Sequence, residues 1–179
     1  MTLRNWARLS VVTLCAVVFQ LTVLDQLKIH GAHPDVMLLV AIGAGLAAGS
    51  QQGAVAAFAV GLVADLFVDT PFGMSALTFV LVAFCVGLAP TGPAERLSPA
   101  TRFATAVLAS AGGTLLFAGI GYILGEPQIL RANIVSVVGV VTLGNAVMAI
   151  PVLAAVSWAV SPARRQRSES PVSAVRGSL

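Results

Sequence analysis

The sequence predicts an all-α integral membrane protein of about six transmembrane helices. Three observations carry that prediction. Of 179 residues, 58% are hydrophobic and only 9% are charged, with a mean hydropathy of +0.95, whereas soluble domains carry about 25% charged residues. The apolar residues come in continuous runs, while a transmembrane barrel would alternate over segments of about ten residues. The basic residues cluster at the ends of runs and not along a face. Despite a net charge of +3, that is the pattern of membrane topology and not of nucleic-acid binding.

The runs follow in order. Residues 1–8 form a short basic leader with Arg4 and Arg8, and 9–24 is the first apolar run. A basic start before an apolar run also suits a signal peptide. No small-x-small cleavage site follows it, so a retained span is the better reading, with Gln20 near its far end placed to bond a neighbouring helix or interfacial water. Residues 25–35 read as a polar loop holding Lys28, His30, His33, Pro34 and Asp35. Two histidines three apart do not complete a metal site, which needs a third or fourth ligand, so a solvated loop is expected.

The second run, 36–49, is rich in small residues, and the third, 53–68, follows a polar break at Ser50-Gln51-Gln52. Gly45 and Gly49, like Ala57 and Gly61, are small residues four apart. Such pairs let helix backbones approach closely in lipid, either within one chain or against a partner. The fourth run is 74–88, and runs two to four are short against the roughly 20 residues that span a bilayer comfortably. Residues 89–102 make the longest internal loop, 103–124 the fifth run with Gly112-Gly113 in its middle, 125–133 a short loop, and 134–160 the sixth run. Asn145 in the sixth run is expected to bond between helices, and Pro151 to kink it. Cys15 and Cys85 read as small buried hydrophobes. Residues 1–160 therefore form the polytopic domain, and 161–179 a basic, disordered cytoplasmic tail.

Six spans put both termini on one side. Arg4, Arg8, Arg96, Arg102, Arg164, Arg165, Arg167 and Arg176 then share that side, and only Lys28 and Arg131 face the other. The positive-inside rule makes the arginine-rich side cytoplasmic.

One stretch stands apart chemically. In Gly61-Leu62-Val63-Ala64-Asp65-Leu66-Phe67-Val68-Asp69-Thr70-Pro71-Phe72-Gly73, two carboxylates lie four residues apart, toward one helix face. A charge within an apolar span costs about 2.5–3.5 kcal/mol at mid-membrane, so Asp65 should face protein or water. Capping or bonding a neighbouring helix is the first reading for it, and an ion or solute path the second. Pro71 and Gly73 end the run with turn chemistry. No phosphate loop, Ser/His/Asp set or zinc spacing is present, so neither an enzyme nor a bound cofactor is expected.

The Gly61–Leu77 segment, with its G-L-x-x-D…P-x-G-x-x-A-L pattern, resembles the corresponding block of the rod-shape-determining protein MreD family. His33-Pro34-Asp35 followed by Val36-Met37-Leu38-Leu39-Val40 is similar to that family's P-D-hydrophobic opening of the second span. The resemblance implies a multi-pass protein of the bacterial inner membrane, acting in cell elongation. It would work with an MreC-like single-span scaffold, near MreB-like filaments and a cell-wall polymerase with its transpeptidase. It also implies a compact bundle similar to the S-components of energy-coupling-factor transporters. Gly61, Asp65, Pro71 and Gly73 match the family block, with structural or interaction roles. From a different class, a small-solute-binding subunit of such a transporter is the alternative, its pocket toward the outer face near Asp65 and the 25–35 loop. A solute pocket needs several convergent polar or aromatic groups, and the outer halves of the runs offer few beside Asp65, Tyr122 and Gln20.

Overall fold

The computed structural model describes residues 1–24, 26, 33–67, 70–88, 97–125 and 134–160. Their regular structure is entirely helical. Helix α1 runs Leu3–Phe19 and continues as a π-helical turn, Gln20–Leu24. The basic leader is thus part of the helix, because the Thr2 hydroxyl caps it by accepting the Asn5 N–H. Helix α2 runs Val36–Asp65, α3 Met74–Gly87, α4 Pro99–Ile123 and α5 Ile134–Val160. The fifth apolar run was expected to open at Phe103. Its helix starts a turn earlier, since Ser98 accepts the Thr101 N–H at 3.1 Å and Pro99 fits the first turn. Helix α5 runs on through Pro151.

Helix α2 is broken within its length. Gly49 has φ 80° and ψ 178°, a conformation open essentially to glycine alone. The polar triplet 50–52 was expected to be the break. It instead opens the second half of α2, because serine and glutamine cannot supply that backbone angle. The two halves fold back on each other: a Cβ added at Gly53 would stand 2.6 Å from the Gly45 Cα.

Four helices, Leu3–Leu24, Val36–Asp65, Pro99–Ile123 and Ile134–Val160, are long and apolar enough to cross a membrane, and Met74–Gly87 is a shorter apolar helix. At 1.5 Å per residue, α3 and each half of α2 are only about 20–24 Å long, against a hydrocarbon core of about 30 Å. The count of four against the expected six rests on these short segments.

The first half of α2 is the centre of the bundle, every residue from 36 to 46 being buried. The second half buries Gly53, Ala56, Ala57, Val60, Gly61 and Ala64 on one stripe, and α5 buries Val141, Asn145, Ala149, Leu153 and Val156 at intervals of three or four. The opposite faces are apolar too: Leu108, Leu143, Val147 and Ile150 are about 70% exposed. Apolar outside with Asn5, Thr13, Asp65, Ser110 and Asn145 inside is the distribution lipid favours. Cys15 and Cys85, expected to be buried, lie on this outer apolar surface; a thiol is apolar enough to face lipid as readily as core.

The break at Gly49, the end of α3, the start of α1 and the end of α5 gather at one end of the bundle. The Met1 ammonium donates to Gln52 Oε1 at 2.7 Å, and the Asn5 amide to the Val160 carbonyl at 3.0 Å. Gly87 closes against Ser50, whose N would be 2.5 Å from an added Cβ. Arg8 stacks over the Trp158 ring, 4.6 Å from its centroid.

Candidate functional site

Asp65 is the last residue of α2, at the opposite end of the bundle. Helix α3 begins after Gly73, which sits at φ 96° and offers no side chain to cap the helix. The first N–H groups of a helix have no partner of their own. Asp65 supplies one from outside the helix. Its Oδ2 accepts the N–H of Gly73 at 2.9 Å and of Ala76 at 3.2 Å, and its Oδ1 accepts that of Ser75 at 2.8 Å. The carboxylate, 5% exposed, also lies at the positive end of the helix dipole. The Met74 N–H goes to the Pro71 carbonyl at 3.1 Å, which closes the turn.

Gly61 makes this reach possible. One turn before Asp65, it lies directly on the start of α3, where an added Cβ would collide with Ala76 Cα and stand 2.7 Å from Ala76 N. Gly45 works the same way further along: an added Cβ would be 2.5 Å from the Ala83 carbonyl oxygen. Gly45 and Gly61 therefore bring the two halves of α2 against α3 within this chain. At Gly49, read with Gly45 as a packing pair, an added Cβ would meet nothing within 4 Å, so it acts through its backbone angle. Asp69 and His30 lie outside the described residues, as does the 161–179 tail.

A second polar cluster ties the start of α2 to three other elements. Gln20 Oε1 accepts the Val36 N–H at 3.0 Å, and its amide donates to the Pro34 carbonyl at 3.0 Å. Asn145, fully buried, accepts the Asp35 N–H at 2.8 Å and donates to Ser110 Oγ at 3.2 Å. Asp35 caps α2 by accepting the Leu38 N–H at 2.9 Å. Ser110 gave no signal in the sequence, because one serine in an apolar helix is ordinary until a partner faces it.

Between these clusters lies a cavity of about 310 Å³, lined from all five helices. Its polar groups are Gln20, His33, Asp35, Ser75, Thr78 and Thr114. The sequence hid this convergence, since the six come from four separate stretches. Tyr122, one of the groups expected near a pocket, is 64% exposed on the outer surface of α4. Among the described residues, no group of three His, Cys, Asp or Glu side chains is placed to hold a metal ion.

A family model described as rod shape-determining protein MreD matches residues 2–154, all of the helical bundle but the end of α5. No curated protein and no solved structure matches the chain.

Proposed function

We propose, since the chain belongs to the rod shape-determining protein MreD family, that it is a non-enzymatic inner-membrane scaffold of the cell-elongation machinery. It binds an MreC-like single-span protein and helps organise lateral peptidoglycan synthesis, beside MreB-like filaments and a polymerase–transpeptidase pair. The observation that carries the reading is the family match over 2–154, which includes the Asp65–Gly73 turn and the glycine contacts around it. The chemistry of the bundle supports it. The carboxylate of Asp65 is engaged by three backbone N–H groups, and the Asn145 amide by Asp35 and Ser110. These are structural duties, and neither group is paired as a nucleophile with a base.

The same reading takes the chain across the membrane six times, in a bundle similar to transporter S-components, with both termini cytoplasmic. Support comes from the reversal at Gly49 and from the gathering of Met1, Gln52, Gly87 and Val160 at one end. The basic residues on that side follow the positive-inside rule. Gly45, Gly49, Gly61, Asp65, Pro71 and Gly73 shape the α2–α3 unit of the scaffold. On α4 and α5, Gly112, Gly119 and Gly139 have open space around them, where a partner helix could approach closely.

The test is depletion of the protein in its own cells, followed by pulse labelling of new peptidoglycan with a fluorescent D-amino acid. The reading expects side-wall incorporation to lose its pattern as cells round. Unchanged side-wall labelling in depleted cells would overturn it.

A further inference from the structure

The scaffold reading leaves the cavity of about 310 Å³ without a role, and its lining is chemically one-sided. Asp35 is its anionic group, and no lysine or arginine lines it among the described residues. Asp35 accepts the Leu38 N–H through Oδ1, and the Met37 N–H also bears on its carboxylate. Burial pushes the Asp35 carboxyl up, against the lowering effects of the Leu38 N–H, of His33 and of the Met37 N–H; a cation beside it would favour the charged form. Ser75 is 3% exposed, and its hydroxyl has no hydrogen-bond partner among the described residues, although its N–H is held by Asp65. Around these groups stand Phe67, Phe79 and Phe117, whose faces attract cations. The volume lies at the small end of ligand pockets, about 300–1,000 Å³.

We propose that this cavity binds a small organic ammonium ion, its head held by the Asp35 carboxylate and the Ser75 hydroxyl and its apolar body against Phe79 and Phe117. An anion of the same size is excluded by Asp35, and a neutral molecule leaves that carboxylate unmatched.

The experiment titrates phenethylamine into the full-length protein in phosphatidylcholine nanodiscs, with 3-phenylpropionate as the anion of similar shape. Saturable binding of the amine is expected, with none of the anion. Asp35→Asn should weaken the amine about tenfold or more, the equivalent of about 1.4 kcal/mol, and Ser75→Ala should weaken it severalfold. Asn ranks with Asp as a helix cap, so Asp35→Asn retains the start of α2. If that variant nonetheless fails to fold, the amine–anion comparison on the unaltered protein decides alone. Absence of saturation at millimolar amine, equal binding of the anion, or unchanged affinity in a folded Asp35→Asn protein would overturn the proposal. Repeating the titration in phosphatidylethanolamine discs identifies the source of the amine: competition points to a lipid headgroup, and its absence to a soluble amine.

Discussion

Replacing Asp65 separates a structural carboxylate from a transporting one. Asp65→Leu strands three N–H groups at the start of α3, of which those of Ser75 and Ala76 are buried. At about 1–3 kcal/mol per stranded buried donor, these two alone give about 2–6 kcal/mol. Loss of the negative charge at the helix N-terminus adds about 0.3–2 kcal/mol. The expected destabilisation is therefore about 2–8 kcal/mol. Asp65→Asn keeps one oxygen, which can sit where Oδ2 now accepts both Gly73 and Ala76. It loses the Ser75 bond and the charge, for about 1.3–5 kcal/mol. The assay is equilibrium unfolding in mixed detergent micelles, read beside folded yield and cell shape. The expected order is wild type, then Asn, then Leu, with cell shape following stability. A Leu variant within about 0.5 kcal/mol of wild type would refute the capping argument. An Asn variant of wild-type stability that nonetheless fails to support shape would give the carboxylate a role beyond capping.

Three further outcomes follow from the same geometry and use the same unfolding assay. Gly61→Ala and Gly45→Ala should each cost about 1–3 kcal/mol by overpacking against backbone, while Gly112→Ala, with nothing within 4 Å, should be neutral or slightly stabilising; equal effects at all three positions would discard the close-packing account. Gly49→Ala should cost about 1–3 kcal/mol for its backbone angle alone, and an unchanged midpoint would mean that the reversal in α2 does not depend on it. Asn145→Leu, which strands the Asp35 N–H, should cost about 1–3 kcal/mol, and a double-mutant cycle with Ser110→Ala should return a coupling of about 0.6 kcal/mol; a coupling of zero would remove the Asn145–Ser110 bond from the account.

The sequence was most legible where one chemical demand overrode everything local. A carboxylate at the end of an apolar run had to find donors, and four residues after Gly61 it finds them on α3. The apolar runs likewise mark the helices, because continuous hydrophobicity requires them in lipid. Boundaries were less legible. The polar triplet 50–52 drew attention away from Gly49, where backbone angle and not polarity sets the break. Ser98-Pro99 is a recognisable helix start that the surrounding proline-rich loop concealed. Of the cavity, the neighbourhood of Asp65 and the 25–35 loop and one polar group, Gln20, were legible; Asp35, Ser75 and Thr114 are ordinary singly, and only the packing of five helices brings them together. The cysteines were misplaced because in an apolar bundle the lipid-facing side accepts a thiol as readily as the core does.

The scaffold reading stands or falls on what the protein holds in its membrane. The deciding measurement is mild-detergent affinity purification of the tagged protein from its own cells, with identification of the membrane proteins that accompany it. The account predicts an MreC-like single-span protein in near-stoichiometric amount, together with a cell-wall polymerase and its transpeptidase. Recovery instead of a paired ATPase with a transmembrane coupling subunit would contradict it and make the chain a solute-binding subunit.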